Sequence, residues 1–225
     1  MFNFTMKNLF YHSYNLDVSQ AYIIHVPNNQ LSVELANRCL ESCKKINYDA
    51  SLYEGFNGTG KEIVVPEHIK NQSWYKWLKI TDHYQSLAEV ACSLSHISLW
   101  VKCMEQDQPL VILEHDAIMV KPYTRHEIYN GIVYLGSQDD LRNPKKYDNI
   151  IPGFSAINQN WNFINRAHAY SIDPASARKL FTNVLDRGIY ESADVMIKAD
   201  DVAIIQTGFY AYDLPGETII KVRKK

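Results

Sequence analysis

The residues best suited to chemistry stand together at Glu114, His115 and Asp116, directly after the apolar run Leu110 to Leu113. A short β-branched run of this kind reads as a buried strand, although periodicity by itself also admits a helix segment. Carboxylates two residues apart fall on one side of an extended chain, so Glu114 and Asp116 could share one divalent cation. The carboxyl end of a strand is also where ligands bind in open α/β sheets. A solvated strand end followed by a turn accounts for the same three residues equally well. The other candidates stand apart. His96 lies in an apolar helical stripe, where a hydrogen-bonded core histidine is commoner than a metal ligand. Asp194 falls in the first turn of a helix capped by Ser192, where a carboxylate complements the helix dipole.

One motif misleads. Gly55 to Lys61 (GFNGTGK) nearly completes a phosphate-binding P-loop, but Glu62 stands where a magnesium-binding hydroxyl is needed. Ile63 to Pro66 is β-branched and stopped by proline, whereas a P-loop must open a helix. The nucleotide-triphosphatase reading is rejected.

Elements that would position these residues follow in order. Ala21 to Val26 reads as a first buried strand. Ser32 caps a helix from Val33 to about Ile46, with Glu34 in its first turn and Lys44 and Lys45 in its last. Ala50 to Tyr53 is a second strand running into Glu54 and Gly55. From about Tyr84 to Glu105 apolar residues form two stripes. Leu87, Val90, Leu94, Ile97, Val101 and Met104 make one, and Cys92, His96, Leu99 and Cys103 the other. A helix apolar on two sides is buried between layers. Ile132 to Leu135 and Ala169 to Ile172 are further strands, and Asp173-Pro174 starts a helix ending near Gly188. Asp139 to Ile150 reads as a surface loop, Asn158 to Asn165 as a flap, and Thr218 to Val222 as a late strand. Strand–helix–strand order at the amino end is how nucleotide-binding α/β domains begin, among many others.

Composition bounds the function. At 225 residues with 46% apolar content, the chain reads as one domain, residues 21–225, behind an N-terminal extension of residues 1–20. A net charge of -2 gives no electrostatic case for nucleic acid. Cys39, Cys43, Cys92 and Cys103 lack metal or disulfide spacing, so they are expected as reduced thiols in a cytoplasmic protein. No signal peptide or transmembrane run is expected, and the sequons at Asn3, Asn57 and Asn71 are read as accidental.

Taken together, several segments resemble one family, the lipopolysaccharide-biosynthesis glycosyltransferases of family 25, to which the collagen galactosyltransferases are related. Glu89 to His96 (EVACSLSH) with Leu99-Trp100 is similar to the family's E-I-G-C-x-L-S-H…L-W, and VILEHDA resembles L-I-L-E-D-D-A. Tyr134-Leu135-Gly136 resembles its Y-L-G. Ala169 to Ile172, with Ala177 and Lys179-Leu180, resembles A-Y-x-I-S…A-x-K-L-L. Ala193-Asp194 sits where the family has P-x-D or V-D, and Glu54-Gly55 where an A-x-D-G turn is expected. The departures are His115 for the middle acid, Ala91 for a glycine and Glu54 for the turn aspartate. The family arginine after the first strand is not evident.

The resemblance implies an α/β fold of the GT-A type, with a Rossmann-like mixed sheet flanked by helices. It also implies transfer of a hexose, galactose or glucose, from a nucleotide sugar such as a UDP-hexose to a hydroxyl of a glycan or lipid-linked glycan, with inversion. His25, Glu54, Ser95, His96 and Glu114 are the donor-binding candidates. Glu114 and Asp116 would hold Mn²⁺ or Mg²⁺, and Asp194 is the candidate base. The implied setting is cytoplasmic, with the inner membrane face as a peripheral site. Two rival readings stand: an inactive homologue that binds sugar nucleotides or glycans, with His115 as its symptom, and a metal-dependent phosphoesterase. The last would need a richer His/Asp cluster than this sequence offers.

Overall fold

The computed structural model describes residues 20–81, 86–124, 131–136, 162–164, 166–206 and 209–214. Its centre is a six-stranded mixed sheet built of β1 (Ala21–His25), β2 (Ala50–Glu54), β3 (Leu110–Glu114), β5 (Ile132–Tyr134), β6 (Ala169–Ile172) and β7 (Ile204–Gln206). The strand order is β2-β1-β3-β6-β5-β7. β2, β1 and β3 run parallel, β6 is antiparallel to both β3 and β5, and β5 pairs parallel with β7. A separate antiparallel pair joins β4 (Ile118–Met119) to β8 (Ala211–Tyr212). The α/β class and Rossmann-like mixed sheet expected from the sequence are what the chain forms.

Alternation along the strands divides the core into two layers. Tyr22, Ile24, Leu110, Ile112 and Tyr170 join the core shared with α2 (Leu87–Gln106) and α3 (Pro174–Arg187). Ala21, Ile23, Val111 and Leu113 join the opposite core, shared with α1 (Gln30–Lys45), Met119 and Ala211. α2 buries twelve residues, from Val90 to Cys103, because its two apolar stripes meet the sheet on one side and α3 on the other. Ser86 caps it by accepting from the Glu89 amide, and Asp107 ends it in the left-handed region at φ 49°. Asp173 caps α3 in the same way, with Pro174 in the first turn, where its missing N–H costs nothing.

Three expectations change. α1 starts three residues earlier, because Asn29 rather than Ser32 is the cap: its Oδ1 accepts from the Ser32 amide at 3.0 Å. Ser32 is buried and its hydroxyl accepts from the Val26 amide at 2.9 Å, and Glu34 moves out of the first turn to bond Gln30. The long helix begins at Leu87, not at about Tyr84, since Ser86 caps it. The extended path assumed through Asp116 stops at Glu114, where the Ala117 amide bonds the Glu114 carbonyl at 3.1 Å and closes a turn. Asp139 to Ile150 and Thr218 to Val222 lie outside the described residues, as do residues 1–19 and most of Asn158 to Asn165.

Candidate active site

Because β1, β2 and β3 are parallel, their carboxyl ends bring His25, Glu54 and Glu114 to one edge of the sheet. Alternation then separates them. Ile24, Tyr53 and Ile112 face α2, so Glu114 faces α2 as well, while His25 and Glu54 turn the other way. His25 Nδ1 meets the Tyr53 carbonyl at 3.1 Å. Neither His25 nor Glu54 lines the cleft that opens above β1 and β3.

That cleft encloses about 540 Å³ and opens to solvent. Ile24 and Val26 form its floor, residues 56–59 one wall, and Glu114, His115 and Asp116 its far end. Ala88, Ala91, Cys92, Ser95 and His96 of α2 make the remaining wall, one helical face at spacings of three and four. Two of the three glycines of the P-loop look-alike, Gly55 and Gly58, serve close packing here. A Cβ on Gly55 would lie 2.8 Å from Ser95 Oγ, and one on Gly58 only 2.0 Å from the Leu87 carbonyl. The loop therefore rests directly on the first turns of α2. Ser95 fastens it, accepting from the Phe56 amide at 2.9 Å and donating to the Ala91 carbonyl at 2.7 Å.

Cys92 and His96, one turn apart, converge on Glu114. His96 Nε2 lies 3.1 Å from Glu114 Oε1, and Cys92 Sγ lies 4.0 Å from the same oxygen. One ligand atom from each residue falls within 4.8 Å of the others, a group able to hold a metal ion. His96 is wholly buried, and its Nδ1 lies 2.9 Å from the Tyr170 hydroxyl, which also accepts from Trp100 Nε1 at 2.9 Å. Burial alone would raise the Glu114 pKa. The His96 hydrogen bond and the neighbouring imidazoles of His96, His115 and His168 together outweigh it, and the carboxyl is held below the ordinary glutamate range. Burial pushes the Cys92 thiol well up, and Glu114, Asp194, Asp116 and Glu89 all push it further. Four carboxylates thus bear on one cysteine in the cleft wall.

Asp116, 8% exposed, sits within the turn, and its carbonyl accepts from Arg38 of α1 at 3.4 Å. Asp194 opens α4 (Ala193–Met196) and is half-buried. Its Oδ1 accepts from the Val195 amide at 3.0 Å and from the Ser192 hydroxyl, and its Oδ2 from the Arg166 amide at 3.4 Å. Arg166, held at φ 69°, also pairs with Asp213 at 3.1 Å. The structure therefore brings Ser95, His96, Glu114 and Asp116 together, with Asp194 within electrostatic reach and His25 and Glu54 outside.

Sequence reasoning passed over four residues. Arg38 sits mid-helix with no local cue. His168 is buried beside Glu114, and its carbonyl accepts from the Glu114 amide at 2.9 Å. Burial holds its imidazole pKa down, against the pull of Asp213 and Glu114. Tyr170 and Trp100 read as core residues, and only the hydroxyl and indole bonds reveal more.

Glu114 belongs to the Cys92–His96–Glu114 group that could hold a metal ion, and Asp116 lines the same cleft without being part of that group. Among the described residues, no helix is long and apolar enough to cross a membrane. The family model described as glycosyltransferase family 25 (LPS biosynthesis protein) matches residues 32–197, well over half of the chain. No curated protein matches it.

Proposed function

Because this chain belongs to glycosyltransferase family 25, described as LPS biosynthesis proteins, we propose that it transfers a hexose, galactose or glucose, from a nucleoside-diphosphate sugar, with UDP the favoured nucleotide. The acceptor is a hydroxyl of a lipopolysaccharide glycan, free or lipid-linked, and the anomeric centre inverts. The observation that carries this reading is Glu114 at the end of β3, bonded to His96 at 3.1 Å inside a cleft that Asp116 also lines. A diphosphate is itself anionic, so its binding there calls for a bridging cation. Glu114 and Asp116 would hold Mn²⁺ or Mg²⁺, which when bound offsets the negative charge that develops on the departing diphosphate.

The protein's own groups do the rest. Residues 56–59, locked to α2 through Ser95, wall the donor side of the cleft. Asp194 accepts the acceptor's proton as the acceptor oxygen bonds to the sugar's anomeric carbon and the bond to the phosphate oxygen breaks. A base of this kind contributes ~10²- to 10⁴-fold. Reaction occurs on the cytoplasmic side, where sugar nucleotides are held.

A thermal-shift panel of nucleotide sugars, each with and without Mn²⁺, tests the reading. Ligand stabilisation follows mass action, so a true donor raises the melting temperature above its relatives. A UDP-hexose is expected to do so only with Mn²⁺ present. Equal responses to every sugar nucleotide would remove the donor assignment.

A further inference from the structure

We propose that Tyr170 is a positioning residue that acts through His96 to aim the Glu114 carboxylate, and that the imidazole holds that carboxylate rather than a metal ion. This rests on reading Glu114 as the donor-side carboxylate. The argument turns on the direction of three hydrogen bonds. Trp100 Nε1 can only donate, so at 2.9 Å the Tyr170 oxygen accepts from it. The single hydrogen of that hydroxyl is then available for its other neighbour, His96 Nδ1, also at 2.9 Å. The two rings lie nearly parallel, 14° apart with centroids 5.8 Å from one another, which keeps the hydroxyl in line with Nδ1. With Nδ1 accepting, the proton of the neutral imidazole is on Nε2, and it points at Glu114 Oε1 at 3.1 Å.

Trp100, Tyr170 and His96 are all 0% exposed, so this order is set by protein groups and not by bulk water. Cys92, His96 and Trp100 recur every four residues along one face of α2. Tyr170 comes from β6, whose register sets it beside Ile112, two residues before Glu114. Helix and sheet thus lock the carboxylate from two directions. His96 and Cys92 both reach Oε1, which leaves Oε2 as the oxygen not spent on them. The Cys92–His96–Glu114 group is in this account a pair of donors around a carboxylate. A metal ion bound by all three would need both donors to lose their protons. Partners behind a ligating carboxylate typically matter by about 10–100-fold in metal affinity or activity.

Nitrogen-15 spectra of the full-length, histidine-labelled protein report the tautomer directly, with no ligand added. A hydrogen on Nε2 and none on Nδ1 of His96 is the expected result, and an Nδ1–H form overturns the proposal. Manganese affinity of two variants gives a second readout. Tyr170→Phe is expected to weaken it about 10–100-fold and to scramble the tautomer. His96→Gln, which keeps one N–H for Glu114 and one oxygen for Tyr170, is expected to recover most of the affinity lost in His96→Ala. Equal loss in both His96 variants would mean that the imidazole ligates the metal, and the proposal falls. The spectrum is read without any donor, so a correct tautomer in a protein that transfers nothing would count against the transferase reading alone.

Discussion

Glu114 and Asp194 both press on the Cys92 thiol, yet the molecule holds them in opposite ways. Glu114 ends a central strand; its amide is fixed to the His168 carbonyl at 2.9 Å and its side chain to a wholly buried imidazole. Asp194 begins a helix of four residues and is half-buried; its bonds come from its own turn and from one long 3.4 Å contact to the Arg166 amide. Bonds of that length are weak. A carboxylate locked from behind suits binding, since its position and charge must not change. One held mainly by its own turn, half-buried, suits proton transfer, since it must gain a proton and lose it again.

Substitutions separate the two regions, and the largest effect belongs to Asp194. Asp194→Asn keeps the shape and most first-turn bonds. The transfer rate is expected to fall about 10²- to 10⁴-fold in kcat and kcat/KM together, with donor affinity nearly unchanged. A carboxylate serving only the helix dipole would instead cost ~0.3–1 kcal/mol of stability with ordinary turnover. In the locked wall, Trp100→Phe removes the donor that starts the hydrogen-bond chain and leaves the Tyr170 hydroxyl short of a partner. Denaturant unfolding is expected to show a loss of about 1–3 kcal/mol.

The wall also predicts a pH dependence. The Glu114 carboxyl is depressed in the folded protein, so its contribution to stability is fully present above the ordinary glutamate pKa. It is lost as pH falls through the lower, folded-state value. Cation-dependent donor binding is expected to follow the same course, surviving to a pH below that of a free glutamate. Titrating donor affinity across the acid range checks it. At the start of α1, Asn29→Ala is expected to cost about 1 kcal/mol through loss of the side-chain cap, with transfer unaffected.

Local pattern revealed a good part of this arrangement. The stop from Leu113 to Glu114 marks the end of β3, the double stripe marks a helix packed on two sides, and Asp173-Pro174 marks the start of α3. The P-loop look-alike fails on Glu62 and on the proline that follows, and its Gly55 and Gly58 prove to be packing contacts with Ser95 and Leu87. Alternation from Ile24 would have turned His25 away from the cleft, had the sheet face been known. What stayed hidden depends on partners distant in sequence. Tyr170 and His96 are 74 residues apart, and Arg38 meets Asp116 across 78. Asn29 and Ser32 are both good caps, so only the burial of Ser32 decides between them. Two-residue strands such as β4 and β8 carry too few side chains to show a period.

Donor affinity measured by calorimetry with Mn²⁺ present, for Glu114→Gln beside Asp194→Asn, tests the division of labour most directly. Glu114→Gln is expected to lose most of its affinity for the UDP-hexose, and Asp194→Asn to bind it as the unsubstituted protein does. Equal affinities in the two variants, whether both kept or both lost, would contradict the assignment of binding to the locked wall and reaction to Asp194.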